Sequence, residues 1–128
     1  MKIEIYTSYF ANYKNIPQEY QCVSVANTKP DSLFIPEWEL VRPAWNLVQH
    51  LKSKNIAFND FAYYYSRQLE TKPASYYIEA LRSYSAGRPV VLMCWEKDYN
   101  ECHRKILSYW LQMNALATFK GELKRGEQ

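Results

Sequence analysis

Apolar positions along this chain come in two rhythms, a period of two and a 3,4 spacing, and their alternation outlines a fold. Ile3-Glu4-Ile5-Tyr6-Thr7-Ser8 is rich in β-branched and aromatic residues and predicts a first strand. A polar and aromatic loop follows from Tyr9 to Pro17, and Gln21 to Val25 predicts a second strand. Asn27 to Trp38 holds two prolines and little period, so it reads as a loop. Pro43 suits the first position of a helix running to Lys54, with Trp45, Leu47, Val48 and Leu51 on its apolar side. Asn59 or Asp60 can cap a helix through Leu69 that carries Phe61, Tyr64 and Tyr65. Pro73 starts another, ending at Gly87, with Tyr77, Ile78, Leu81 and Tyr84 on one face. Arg88 to Cys94 is the clearest strand. Cys102 to Phe119 is the clearest helix, since His103, Ile106, Leu107, Trp110, Met113, Asn114 and Ala117 recur at helical spacing. A further strand has room near Ile56-Ala57-Phe58.

Strands alternating with helices predict a small α/β domain, a mostly parallel sheet flanked by helices in three layers. At 128 residues the chain is one domain, expected over residues 1–119, with a charged tail over 120–128 that frays. Charge inside the opening Met1-Lys2-Ile3-Glu4 is unlike a signal peptide, and no apolar run approaches the roughly 18 residues that cross a bilayer. No membrane role is expected. Cys22, Cys94 and Cys102 are an odd count at spacings that suggest no secreted framework, which points to a reduced, cytoplasmic protein. A net charge of +3 suits an anionic small ligand better than a dedicated DNA-binding face.

Candidate chemistry gathers where the clearest strand runs out. Val90-Val91-Leu92-Met93-Cys94 ends abruptly in Trp95-Glu96-Lys97, and the next helix opens on Cys102-His103-Arg104. In open α/β sheets, ligands bind outside the carboxyl ends of the strands. First-turn amides and the helix dipole favour an anion, and Arg104 offers a planar fork for phosphate or carboxylate. Equally, Arg104 can pair with Glu96 or Glu101 and pin the loop. Cys102 at a helix start is a candidate for a lowered thiol pKa, although structural or ligand-contact roles are favoured for both Cys94 and Cys102. Neighbours on a helix point about 100° apart, which argues against a direct Cys102–His103 pair. His103 lies on the apolar face, where a hydrogen-bonded core histidine is the simpler reading and a catalytic base the alternative.

Glu96 is placed for acid-base work or for a ribose hydroxyl. Ser8, Tyr9 and Asn12 line the same mouth if the first strand lies beside Val90–Cys94. Zinc is disfavoured: Cys94, Cys102 and His103 match no familiar spacing, and a fourth ligand would have to be His50 or Cys22. No metal or cofactor is expected. Twelve tyrosines raise base stacking as an option, but helical spacing assigns most of the runs Phe61–Tyr65 and Ser75–Tyr77 to core or interface.

With Ile5-Tyr6-Thr7-Ser8-Tyr9-Phe10 and Cys94-Trp95-Glu96-Lys97 to Cys102-His103-Arg104 in view, the chain resembles the domain-of-unknown-function 488 family. The likeness rests on the first dozen residues and on 90–111, and departs over Pro17 to Gly87. It implies a compact α/β domain with Cys94, Glu96, Lys97, Cys102, His103 and Arg104 around a shared cleft, and it brings no established activity. The resulting expectation is a site for a nucleotide-derived or other phosphorylated small molecule, lined by Ser8, Tyr9, Asn12, Cys94, Glu96, Lys97, Cys102, His103 and Arg104. Two alternatives stand beside it. One is a hydrolase of a glycosidic or phosphoester bond in such a ligand, with Glu96 or His103 as the acid-base residue. The other is a nucleic-acid-associated module.

Overall fold

A computed structural model describes residues 2–124. Four strands form one parallel sheet, β1 (Ile3–Tyr9), β2 (Gln21–Ser24), β3 (Val90–Cys94) and β4 (Ala117–Glu122), in the order β2-β3-β1-β4. Four α-helices accompany them: α1 (Trp45–Lys52), α2 (Phe58–Leu69), α3 (Ala74–Ser85) and α4 (His103–Met113). The architecture is α/β, as the alternation of periods requires. No helix among the described residues is long and apolar enough to cross a membrane.

All five residues of β3 are buried, as expected of an inner strand covered on both faces. Its register against β1 sets Tyr9 beside Cys94 and Ser8 beside Met93, so the two strands end together. Phe61, Tyr65, Leu69, Tyr77, Leu81, Leu107 and Leu111 carry the helices onto this core. Asp60 does not begin α2. It stands in the first turn and accepts a hydrogen bond from the Ala57 amide at 3.1 Å, satisfying a donor the helix leaves free. Tyr9 to Pro17 is more ordered than a loop, since Phe10–Asn15 forms a 3-10 turn.

The largest corrections concern the C-terminal third. The strand left open near Ile56-Ala57-Phe58 does not exist there, because Phe58 opens α2. The additional strand is β4, which takes in Lys120, Gly121 and Glu122 from the segment expected to fray. Arg125–Gln128, the rest of that expected tail, lie outside the described residues. Helix α4 also stops at Met113 instead of Phe119. Ala115 turns to a left-handed φ of 59°, and the Leu116 amide bonds back to the Leu111 carbonyl at 2.9 Å. This is a Schellman-type stop made with alanine where glycine is usual. The helix consequently buries Arg104, Ser108 and Leu111, while Met113 is exposed.

Within β4 the pairing slips between Ile5↔Phe119 and Tyr6↔Gly121, leaving Lys120 as the extra residue of a bulge. Gly121 has φ +131°, and no atom would meet a Cβ built there, so the cost of a side chain is one of backbone conformation. Gly121→Ala is expected to lower stability by about 1–3 kcal/mol. Urea unfolding measures this, and an unchanged midpoint would remove the strained-bulge argument.

Candidate functional site

The carboxyl ends of β1 and β3 open beside the turn that leads into α4. Arg104 is the first surprise. Its side chain is completely buried, and its guanidinium grips Glu122 with two bonds, Nε–Oε1 at 3.1 Å and Nη2–Oε2 at 2.8 Å. Nη1 donates to the Glu96 carbonyl at 2.6 Å and Nη2 to the Lys97 carbonyl at 3.3 Å. Burial alone would lower the guanidinium pKa, but the Glu122 contact outweighs it and raises the pKa. Arg104 therefore staples the Trp95–Lys97 turn to β4. It presents no fork to a ligand, which corrects the expected anion contact. The pinning alternative holds in kind, with Glu122 as the carboxylate in place of Glu96 or Glu101.

Ser8 and Asn12 are also turned to the scaffold. Ser8 Oγ donates to the Leu123 carbonyl at 2.7 Å, and Asn12 Nδ2 reaches both Ser8 Oγ at 3.1 Å and the Leu123 carbonyl at 3.2 Å. Both side chains are fully buried, and together they fasten the chain as it leaves β4. Tyr9 is buried at the end of β1. Lys97 is exposed and contributes its backbone carbonyl to Arg104.

Cys94, Cys102 and His103, by contrast, converge. His103 Nδ1 lies 3.6 Å from Cys94 Sγ and 4.0 Å from Cys102 Sγ. Its Nε2 sits 2.7 Å from the Val25 carbonyl, a partner that accepts only, so Nε2 carries the proton. Adjacent residues meet here because Cys102 is the N-cap, with extended φ −123° and ψ 143°, and helical spacing does not govern it. Burial pushes the Cys102 thiol up, yet bonds to Cys94 and His103 and the charges of His103 and Arg104 hold it well below the usual thiol range. Contact with Cys102 and burial raise Cys94 well above that range. Burial opposes charge on His103, but Cys102 and the Val25 carbonyl raise its pKa.

These three side chains floor a cavity of about 170 Å³. Its walls come from segments outside the expected site: Ala26, Asn27 and Thr28 after β2, Trp45, Val48, Leu51 and Lys52 of α1, and Phe61 of α2. Trp95, Glu96 and Glu101 close it from the turn before α4. Trp45 and Trp95 are each about half exposed, at 58% and 51%. Trp95 Nε1 donates to Thr28 Oγ1 at 3.0 Å, and Lys52 Nζ lies 5.9 Å above the Trp45 ring. Glu96 is exposed, with Oε2 at 3.5 Å from Cys94 Sγ. Helix α1 buries no residue completely, although its apolar spacing suggested a core-facing stripe. Among the tyrosine runs, Tyr65 and Tyr77 are core, while Tyr63, Tyr64 and Tyr76 are more than half exposed.

No curated protein and no solved structure gives a significant match to this chain. One family does match. The agreement runs over residues 12–115, through the middle region where the sequence motifs showed no likeness, and begins only after the Thr-Ser-Tyr-Phe stretch. The chain belongs to the DUF488-N3a family, described as the active DUF488-N3 subclade.

Proposed function

We propose that the cavity between α1 and the Trp95–Glu96 turn binds a nucleotide-derived small molecule by its ring. The observation that carries this reading is the pair of half-exposed indoles, Trp45 and Trp95, lining one pocket with the Glu96 carboxylate. Pockets that enclose drug-sized ligands run to roughly 300–1,000 Å³, so about 170 Å³ admits one ring-sized group and leaves the remainder outside. A planar base stacks well on an indole, and a carboxylate at a strand end suits a ribose hydroxyl. Arg104 is consumed by Glu122, so Lys52 at the rim is the cation that would meet a phosphate. Three free thiols fit a reducing, cytoplasmic setting for such a protein.

Thermal-shift screening of nucleosides, nucleotides and their ribosyl derivatives tests this, because a ligand bound only by the native state raises the melting temperature. For a ligand that scores, Trp45→Ala is expected to weaken affinity by roughly 5- to 150-fold, the equivalent of about 1–3 kcal/mol of stacking. A panel without a single stabilising member, or a Trp45→Ala protein that binds as wild type, would refute the reading.

Turnover of the same ligand is a second reading, favoured by the placement of Glu96. An exposed carboxylate at the cavity wall can take the proton of a water that attacks the glycosidic carbon, and can return it to the departing group as the glycosidic bond breaks. The word active in the family's description accords with it. His103 is a weaker candidate for this work, since its Nε2 is engaged by Val25 and its Nδ1 faces the two sulfurs. Glu96→Gln is expected to abolish product formation, followed by mass spectrometry, while binding persists. Unchanged turnover in that variant would exclude Glu96 as the acid-base group.

A further inference from the structure

We propose that Cys94, Cys102 and His103 form a zinc site at the floor of the cavity, with the fourth coordination position facing the open pocket. This goes beyond nucleotide binding, and its test contains no nucleotide, so either idea can fail without the other.

Geometry supports the assignment first. The two sulfurs and the imidazole nitrogen all lie within 4.8 Å of one another. Zinc bonds of about 2.3 Å to sulfur and about 2.0–2.1 Å to nitrogen, at a tetrahedral angle, place donor atoms roughly 3.5–3.8 Å apart. The observed Nδ1 separations of 3.6 and 4.0 Å are already near that value. An ion between them needs side-chain adjustments of well under an ångström on the nitrogen edges, and at most about 1 Å between the sulfurs.

The surroundings agree. A histidine ligand characteristically gives its other ring N–H to a carbonyl or carboxylate, which fixes its tautomer and orientation. Here Nε2 meets the Val25 carbonyl at 2.7 Å, which leaves the lone pair on Nδ1, the atom aimed at the sulfurs. All three ligand residues are buried, yet all three line the cavity, so the site is shielded on the protein side and reachable on the other. Two thiolates and a neutral imidazole balance a dipositive ion. Soft sulfur with imidazole selects zinc over magnesium or calcium. Three protein ligands with one vacant position is the arrangement of catalytic zinc, not structural zinc.

Sequence spacing concealed this because Cys94 and Cys102 are brought together by the fold. One ends β3 and the other caps α4, and the turn between them is drawn in by Arg104. Neither His50 nor Cys22, the fourth ligands that spacing suggested, belongs to the cluster.

Cobalt substitution is the direct test. Reduced, chelator-treated full-length protein titrated with Co(II) should develop a sulfur-to-cobalt charge-transfer band and the intense visible bands of tetrahedral coordination. Saturation is expected at one equivalent, with displacement by one equivalent of Zn(II). Zinc should also raise the melting temperature of the same preparation. Cys94→Ala and Cys102→Ala are each expected to lower zinc affinity by more than about 100-fold, the upper end for changes outside the ligand set. Cys22→Ala, which lies outside the cluster, should bind metal as wild type does. Since either ligand variant can fail to fold, the wild-type spectrum and melting shift decide the matter alone. Octahedral, weak cobalt bands, or a melting temperature indifferent to zinc, would overturn the site. So would a Cys22→Ala protein that loses the metal.

Discussion

Arg104→Ala is expected to cost about 3–5 kcal/mol of folding stability, the range for breaking a buried ion pair from one side. For a domain of this length the melting temperature falls by roughly 10–20 °C, at about 3–4 °C per kcal/mol. The reason is the carboxylate left behind. Glu122 is almost completely buried, its side chain 6% exposed, and Arg104 supplies both of its charged bonds. Glu122→Gln keeps an oxygen acceptor for the guanidinium and is expected to cost less, about 1.5–3 kcal/mol. Replacing both partners with apolar residues, Arg104→Met with Glu122→Leu, should recover much of the loss, because no unpaired charge remains in the interior. The carbonyls of Glu96 and Lys97 can then turn to water, since both residues are exposed. Denaturant unfolding of the two single variants and the double variant measures the coupling. An Arg104→Ala protein within about 0.5 kcal/mol of wild type would behave like a surface substitution and contradict this account. The anion-contact role expected from the motif makes the opposite forecast, a stable protein that has lost its ligand.

The contrast shows what the residues alone could reveal. Strands β1 and β3 were legible because a buried strand is a run of apolar residues, and Val90–Cys94 is one with almost no interruption. Three of the helices were legible from their spacing; Pro73 is the N-cap of α3, whereas α1 begins at Trp45, two residues after the Pro43 expected to open it. Strand β4 was not. Its pairing partner β1 is more than a hundred residues away, its bulge places Lys120 and Gly121 where a strand pattern should run, and Ala115 ends α4 without the usual glycine. The site depends on that strand. Arg104 is readable as a cation near a helix start, but its destination depends on Glu122, in a charged, glycine-bearing segment that reads as tail. Cys102 and His103 were kept apart by a rule for helical neighbours that fails at an extended N-cap. A cavity does lie beside the carboxyl end of β3, where the topology of an open sheet leaves room for one. Its walls on α1 were not legible, because an amphipathic helix reads the same whether its stripe covers a core or rims a pocket.

A chain ended at Phe119 distinguishes the two views of the C terminus most sharply. If residues 120–128 were a frayed tail, their removal would leave the melting temperature unchanged. The structure gives Glu122 and Leu123 partners instead. Glu122 neutralises buried Arg104, and the Leu123 amide donates to the Thr7 carbonyl at 2.7 Å. The Leu123 carbonyl accepts from Ser8 and Asn12, both fully buried. Losing the carboxylate costs about 3–5 kcal/mol, as for any buried charge stripped of its partner. Each buried polar group deprived of a hydrogen bond adds about 1–3 kcal/mol, unless water reaches it. Together these approach or exceed the 5–15 kcal/mol that holds a typical domain folded. The shortened chain is therefore expected to lose cooperative unfolding, or to melt at a far lower temperature, by circular dichroism. A chain ended at Lys124 retains every contact named here and serves as the reference. Equal melting of the two would mean that β4 contributes nothing beyond Phe119, and the stapling of the Trp95–Lys97 turn through Arg104 and Glu122 would fall with it.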